Sequence, residues 1–183
     1  MTAANTITLT RIALIPLFII FLYVDLPYAN LIALLIFSIA SLTDGIDGYI
    51  ARKYNQVTNF GKFIDPLADK LLVTAAMLIF VEKGRMPAVM AVIILSREFI
   101  VTSLRVVAIS QGKVIAAARS GKIKTATQIA CIIVMLSPFA SFVFLGLKLN
   151  DIAVWAMTLV TLYSGYDYLK NSAYLITGET SNN

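Results

Sequence analysis

Histidine is absent from the 183-residue chain, and cysteine occurs once, as Cys131. The absence of histidine removes the usual general base near neutral pH, the commonest transition-metal ligand and the usual haem ligand. A single cysteine has no partner within the chain, which excludes an internal disulfide scaffold. Any acid-base or metal chemistry in this protein must therefore depend on carboxylates.

Charged residues are also scarce, at 14% of the chain, whereas hydrophobic residues make up 59% and the mean hydropathy is +0.84. Soluble domains average about 25% charged and about 45–50% apolar residues, so the composition indicates a membrane protein. The net charge of +5 could suggest a nucleic-acid partner. On so apolar a chain, basic loops beside an anionic leaflet are the better explanation, and we expect no nucleic acid to bind.

Six hydrophobic segments approach the length of about 20 residues that a transmembrane helix requires. They occupy nearly the whole chain, so we predict an all-α integral membrane protein in which residues 1–183 form a single six-helix domain. The segments are residues 8–24, 31–51, 61–81, 88–110, 123–147 and 152–169.

The connections between these segments alternate between strongly and weakly basic. Because basic loops tend to stay in the cytoplasm, we expect both termini and the basic connections to be cytoplasmic. The basic set contains Arg11, Arg52, Lys53, Lys62, Arg105, Lys113, Arg119, Lys122, Lys124 and Lys170, and the other set contains Lys83, Arg85 and Lys148.

Four aspartates occur in the second and third segments, where apolar residues are expected. Asp44 and Asp47 are three residues apart and Asp65 and Asp69 are four apart, so each pair lies on one side of its helix. An ionised aspartate near the bilayer centre costs about 2.5–3.5 kcal/mol, which makes such residues candidates for function. If the two helices are antiparallel neighbours, all four carboxylates can converge.

Four carboxylates without histidine or cysteine suit Mg²⁺, Mn²⁺ or Ca²⁺. Two divalent cations would balance the four negative charges and favour phosphoryl displacement. Gly48 and Gly61 would let a phosphate or nucleotide approach the backbone, and Arg52 could pair with a diphosphate. Simpler explanations stay open for single residues, because Asp65 and Asp69 could be interfacial caps and Arg52 could extend to the membrane surface.

At these positions the chain resembles the CDP-alcohol phosphotransferase family, whose signature is D-x-x-D-G-x-x-A-R, eight residues, then G-x-x-x-D-x-x-x-D. Every fixed position of the signature is matched, and the intervening gap has the same length. The matching residues are Asp44, Asp47, Gly48, Ala51, Arg52, Gly61, Asp65 and Asp69.

The resemblance implies an enzyme of the bacterial cytoplasmic membrane that transfers a group from CDP-diacylglycerol to an acceptor alcohol and releases CMP. It implies that Asp44, Asp47 and Asp65 ligate two divalent cations, Mg²⁺ or Mn²⁺. Asp69 would contact metal and act as the general base. A homodimer with its active sites near the cytoplasmic face is also implied. The residues expected to line the CDP pocket are Gly48, Ala51, Arg52 and Gly61.

Basic residues of the fourth and fifth segments bear on the acceptor alcohol. Arg97 and Arg105 are eight residues apart in an otherwise apolar segment, so both lie on one side of its helix. We interpret Glu98 as a partner for Arg97 or a neighbouring basic residue rather than as a catalyst. So many cations beside a carboxylate site suggest an acceptor that already carries phosphate. The residues predicted to hold this phosphate are Arg105, Arg119, Lys122 and Lys124.

The patterns R-E-F, S-L-R and G-K-x-K-T-x-x-Q are similar to those of bacterial family members that use sn-glycerol 3-phosphate, which implies phosphatidylglycerol phosphate as the product. Inositol phosphate stays open as an acceptor, as does phosphatidylglycerol, which would give cardiolipin. The basic segment could also serve only to orient the protein on anionic lipid. A metal or phosphate transporter is an alternative of another class, because intramembrane carboxylates also mark ion pathways. Against it, the charges cluster at one membrane face and no inverted repeat is visible.

Overall fold

The structure is a computed structural model that describes residues 3–53, 59–110, 119–144 and 146–177. Within these ranges the chain forms six α-helices, one short 3₁₀ helix and one two-stranded hairpin. The helices are α1 (Ala3–Tyr23), α2 (Ala29–Lys53), α3 (Asn59–Glu82), α4 (Ala88–Ser110), α5 (Arg119–Leu136) and α6 (Leu149–Thr177). The 3₁₀ helix is Pro138–Ser141, and the antiparallel strands are β1 (Val143–Phe144) and β2 (Leu147–Lys148).

Each predicted hydrophobic segment corresponds to one helix, so the prediction of a mostly helical fold is confirmed for the described ranges. Within those same ranges, no helix is both long enough and apolar enough to cross a membrane. The number of membrane spans and the side on which the termini lie stay predictions.

The fifth helix is shorter than its hydrophobic segment, which extends to residue 147. α5 ends at Leu136 because Ser137 precedes Pro138, and the residue before a proline is pushed out of the helical region. Ser137 accordingly has extended backbone angles, with φ −71° and ψ 158°. The rest of the segment forms the 3₁₀ helix and the hairpin, whose turn contains Gly146 at φ +82°, a conformation that favours glycine.

The hydrophobic core joins all six helices. α1 packs against α2 and α3, α6 packs against α4 and α5, and a contact between α2 and α5 connects the two groups. The rings of Phe18 and Phe37 lie with their centroids 5.7 Å apart between α1 and α2. Other fully buried members of the core are Met77, Ile94, Ile132 and Met157.

Several polar side chains are buried inside the bundle, whereas many large apolar side chains are exposed on its outside. The buried polar residues include Lys124 and Gln128 of α5 and Thr158, Thr161 and Ser164 of α6. Each of the two threonine hydroxyls donates to the carbonyl four residues earlier at 2.7 Å, as a buried hydroxyl requires. The exposed apolar residues include Leu35, Ile39, Leu78, Val92, Phe99, Ile109, Leu159 and Leu162.

Candidate active site

The two halves of the aspartate motif lie at connected ends of consecutive helices. Asp44 and Asp47 belong to the last turns of α2, and Asp65 and Asp69 belong to the first turns of α3. The backbone is helical at both pairs. Only residues 54–58 separate the two helices, so both pairs are at the same end of the bundle.

The side chains of the motif lie outside the described part of the structure. The metal, donor-binding and general-base roles expected of them therefore stay predictions. This holds for Asp44, Asp47, Gly48, Ala51, Arg52, Gly61, Asp65 and Asp69.

The donor chemistry at this end of the bundle fits a divalent cation. The chain offers four aspartates here and has no histidine anywhere. Carboxylate oxygens of this kind are the ligands that Mg²⁺ and Mn²⁺ prefer. Among the residues whose side chains are described, no group of three or more acidic, cysteine or histidine residues could hold a metal ion. The motif aspartates stay the predicted ligands for the cations because of their donor chemistry.

Lys70 directly follows the last aspartate of the motif, and it connects α3 to α4. Its ammonium donates a hydrogen bond to Thr102 Oγ1. The Thr102 hydroxyl in turn donates to the carbonyl of Glu98 at 2.7 Å. This arrangement places a positive charge one residue beyond Asp69. Neither Lys70 nor Thr102 was predicted from the sequence, although the position of Lys70 next to Asp69 was a usable signal.

A pocket with several polar residues in a largely apolar wall lies between α3, α4 and α5 and begins beside Lys70; we refer to it as the polar pocket. It has about 480 Å³ of free space, its open mouth included. The polar part of its wall contains two lysines and one glutamate, so the cations lining it outnumber the carboxylates. The polar lining residues are Lys70, Thr74, Glu98, Lys124, Thr125 and Gln128.

Glu98 is the centre of an ion-pair network that joins three helices. Its carboxylate pairs with Lys124 of α5 and with the neighbouring Arg97, the latter at 3.1 Å. Arg97 extends the network to α6, where its Nη2 donates to Ser164 Oγ at 2.6 Å. Lys124 is only 4% exposed, and a buried charge requires such a partner. The interpretation of Glu98 as a partner for neighbouring basic residues is confirmed.

Helix α6 holds both α4 and α5 in place. A Cβ atom at Gly165 would lie 3.1 Å from Arg97 Cγ, so the missing side chain lets α4 approach closely. At the start of α5, the Ser120 hydroxyl donates to Asp167 at 2.5 Å. Arg105 of α4 lies over the ring of Tyr168, which also belongs to α6. Arg97 and Arg105 therefore both face α6, and they share one side of α4 as their eight-residue spacing predicted.

The four basic residues predicted to hold an acceptor phosphate occupy two different environments. Lys124 is buried and paired with Glu98. Arg105, Arg119 and Lys122 are exposed. Lys122 and Lys124 are two residues apart, which places them about 200° apart around α5. The described contacts therefore do not bring all four residues into one cluster.

Comparison with known proteins adds the family. The family model for CDP-alcohol phosphatidyltransferase matches residues 1–163, a range that includes the aspartate motif, the polar pocket and the basic residues of α4 and α5. The chain belongs to the CDP-alcohol phosphatidyltransferase family. The resemblance carried by the motif is thereby confirmed. For this family member, the two ends of α2 and α3 that carry the motif are the candidate catalytic region.

Three relatives illustrate the similarity within this family. A Bacillus subtilis protein named CDP-diacylglycerol–glycerol-3-phosphate 3-phosphatidyltransferase is 45% identical over 180 residues, covering 92% of this chain and 93% of the relative. A Rickettsia bellii protein of the same name is 38% identical over 168 residues, covering 91% and 92%. A Mycobacterium tuberculosis protein named probable phosphatidylglycerophosphate synthase is 36% identical over 179 residues, covering 96% and 83%.

Proposed function

We propose that this protein transfers the phosphatidyl group of CDP-diacylglycerol to sn-glycerol 3-phosphate, which forms phosphatidylglycerol phosphate and releases CMP. The observation that carries the proposal is the complete aspartate motif in a chain that is 45% identical to a B. subtilis protein named for this reaction. The names of the R. bellii and M. tuberculosis relatives support the same reaction. The protein is accordingly a transferase of phospholipid biosynthesis.

Asp69 is the general base in this proposal. Its carboxylate takes the proton from the acceptor hydroxyl, whose oxygen forms the new bond to the phosphorus of the phosphatidyl group. The bond between that phosphorus and the CMP oxygen breaks, and CMP leaves with the electron pair. A carboxylate is a weak base near neutral pH. With no histidine in the chain, an aspartate is the available group for this step.

Four aspartates would hold two divalent cations, Mg²⁺ or Mn²⁺. When bound, such cations stabilise negative charge on the phosphates and on the leaving group. The support is the donor set itself, because four carboxylates balance the charge of two divalent ions and no softer ligand accompanies them. The proposed ligands are Asp44, Asp47, Asp65 and Asp69.

The CDP part of the donor would bind at the same ends of α2 and α3. Gly48, Ala51 and Gly61 have at most a methyl group as a side chain, which leaves room for a nucleotide to approach the backbone. Arg52 would pair with the diphosphate through its planar guanidinium. These four positions complete the family motif in this chain.

The phosphate of the acceptor would be bound from among the predicted cations Arg105, Arg119, Lys122 and Lys124, of which Lys124 lines the polar pocket. The support is the polar pocket, which begins one residue beyond Asp69 and includes Lys70 and Lys124 in its wall. An acceptor without a phosphate group would leave this excess of positive charge unmatched. The proposed acceptor is therefore an alcohol that already carries an anion.

The proposed setting is the bacterial cytoplasmic membrane, where residues 1–183 form one domain of six spanning helices with both termini in the cytoplasm. The exposed apolar side chains around the helices support contact with lipid. The connections at the opposite end of the bundle from the motif are weakly basic. Because basic loops tend to be cytoplasmic, this supports the proposal that the motif faces the cytoplasm. Association as a homodimer, which the family resemblance implies, is part of the same proposal.

The test is CMP release by the detergent-purified full chain with CDP-diacylglycerol, measured with and without Mg²⁺ or Mn²⁺. Each acceptor is supplied separately: glycerol 3-phosphate, inositol phosphate, phosphatidylglycerol and serine. We expect metal-dependent release with glycerol 3-phosphate alone. Release with another acceptor would overturn the acceptor assignment and keep the chemistry. No release with any acceptor from folded protein would overturn the reaction itself and favour the transporter alternative.

A further inference from the structure

A second polar pocket lies at the end of the bundle opposite the aspartate motif. It is formed by the α1–α2 and α3–α4 connections, the end of α5 and the start of α6. It has about 1360 Å³ of free space, its open mouth included. Asn30 of its wall and Asp44 of the motif are 14 residues apart on α2, which corresponds to about 21 Å along the helix axis. We refer to this cavity as the Arg85 pocket.

Arg85 is a half-buried cation in the wall of this pocket. Its Nη2 donates to the carbonyl of Met135, and its guanidinium carbon lies 5.1 Å from the centre of the Phe80 ring. Burial lowers the pKa of the guanidinium from its usual value. Among the described residues, no carboxylate lies within ion-pair distance of Arg85. A partly buried guanidinium without a counter-charge is a binding position for an anion.

Lys148 adds a second cation to the same pocket. It is exposed on β2, and the only acidic residue among the lining residues is Asp151. The Asp151 carboxylate accepts a hydrogen bond from the Asn150 amide at 3.2 Å. Two cations against one carboxylate leave the described wall with a net charge of +1. Asn150 and Asp151 also belong to the first turn of α6, where the helix dipole favours an anion.

The positions of the three cations at this end argue against a general surface charge. The weakly basic connections contain only Lys83, Arg85 and Lys148, and two of these three line one pocket. Lys83 instead donates to the carbonyl of Leu22 and lies 5.7 Å from the centre of the Tyr23 ring. Two of the three cations at this end therefore lie in the wall of one cavity rather than on separate surfaces.

Apolar side chains are exposed in the lining of the Arg85 pocket and in the adjoining α5–α6 connection, and we refer to them together as its rim. Tyr28 of the lining is 70% exposed, and Phe139, next to the lining residue Pro138, is 69% exposed. Phe142 and Leu147 are exposed in the same α5–α6 connection. Aromatic and aliphatic side chains around a basic cavity suit a ligand that joins a phosphate to acyl chains.

We propose that the Arg85 pocket binds the phosphate group of an anionic phospholipid, at a site separate from the catalytic end. Arg85 and Lys148 contact the phosphate, and the exposed apolar rim contacts the acyl chains. The site is independent of the proposed transferase reaction, because none of its residues belongs to the aspartate motif or to the polar pocket.

The experiment is a lipid titration of the delipidated full chain in detergent, followed by native mass spectrometry. Phosphatidylglycerol is compared with phosphatidylcholine of the same acyl chains, because choline neutralises the phosphate charge. We expect Arg85→Gln and Lys148→Gln each to weaken binding of one phosphatidylglycerol molecule by about tenfold, the effect of losing about 1.4 kcal/mol. Binding of phosphatidylcholine should change less than twofold. Lys148→Gln carries the test if Arg85→Gln, which loses the bond to Met135, fails to fold.

Lys83→Gln is the matched control, because it removes one charge from the same end of the bundle without altering the pocket wall. It should leave phosphatidylglycerol binding within twofold of the unmodified chain. Equal losses in Lys83→Gln and Lys148→Gln, or no loss in Lys148→Gln, would overturn the site. A further arm adds millimolar inorganic phosphate to the lipid-bound protein. Retention of the lipid supports a lipid headgroup as the ligand, whereas complete displacement would assign the pocket to free phosphate instead.

Discussion

The acidic and basic halves of the proposed active site differ in how their residues are held. The acidic half is a set of aspartates at fixed spacing on two consecutive helices, and a signature in the sequence identifies it. The basic half is divided: Lys124 and Arg97 are tied to Glu98 inside the bundle, whereas Lys122 and Arg119 are exposed at the start of α5. Residue spacing in the sequence can identify a type of chemistry, but the packing of the helices is needed to distinguish buried, paired cations from exposed ones.

The largest effect is expected in the acidic half, at the proposed general base. Asp69→Asn keeps the shape of the side chain and removes its ability to take a proton. We expect kcat for CMP release to fall by about 10²–10⁴-fold, the usual contribution of general acid-base catalysis. Binding of CDP-diacylglycerol, measured by equilibrium titration, should change much less. A variant that turns over at the normal rate would remove Asp69 from the mechanism.

The next largest effect is expected at Glu98, the centre of the ion-pair network that joins α4, α5 and α6. Glu98→Gln removes the carboxylate that pairs with both Lys124 and Arg97. Breaking a buried pair from one side typically costs about 3–5 kcal/mol, so the thermal unfolding midpoint in detergent should fall clearly.

Glu82→Gln is the matched control for that substitution. Glu82 is exposed at the end of α3, where it accepts a hydrogen bond from the Tyr23 hydroxyl. Exposed polar contacts contribute little to stability, so the unfolding midpoint should stay close to that of the unmodified chain. If both variants melt alike, the buried network does not stabilise the bundle in the way that its contacts indicate.

A smaller and more selective effect is expected at Arg105. It is exposed, and its guanidinium carbon lies 5.8 Å from the centre of the Tyr168 ring. Arg105→Ala should raise KM for glycerol 3-phosphate by about tenfold, the loss of one charge-assisted contact, with little change in KM for CDP-diacylglycerol. Steady-state kinetics with each substrate varied in turn provides the measurement. An equal rise in both constants would indicate a role in donor binding or folding.

The smallest effect is expected at Lys122, which is exposed and lies on the side of α5 opposite Lys124. Lys122→Gln should raise KM for glycerol 3-phosphate by about two- to threefold at low salt, and the difference should shrink at high salt because exposed charges are screened. Lys170→Gln, an exposed lysine on α6, serves as the control. A large, salt-independent loss in Lys122→Gln would place Lys122 with the tightly held cations.

The sequence predicted the presence of each helix better than the residue at which each helix ends. Long hydrophobic runs marked all six helices, because such runs are typical of helices that contact lipid as well as protein. The predicted end of α5 is wrong, because hydrophobic residues continue past Ser137 and Pro138. The proline itself was a signal that the helix stops there. The hairpin was not predicted, because strands of two residues are too short to produce an alternating pattern.

The sequence predicts the type of chemistry at the candidate site, but it predicts only some of the contacts that its residues make. The spacing of Arg97 and Arg105 predicted that both lie on one side of α4, and the structure shows that this side faces α6. The prediction groups four cations around the acceptor phosphate, because the net charge along a segment does not show which side of a helix each cation occupies. The helical period alone is enough to put Lys122 and Lys124 on opposite sides of α5. The bond between Lys70 and Thr102 joins distant segments and leaves no local pattern.

Gly165 offers a way to adjust the enzyme's geometry from a position that carries no functional group. A methyl group there would require Arg97 to move by a few tenths of an ångström, because its Cγ lies 3.1 Å from the place of the new Cβ. Arg97 shares Glu98 with Lys124, so the displacement would reach the wall of the polar pocket. Substitution of this single glycine would therefore disturb the ion-pair network from α6 while leaving every residue of the aspartate motif unchanged.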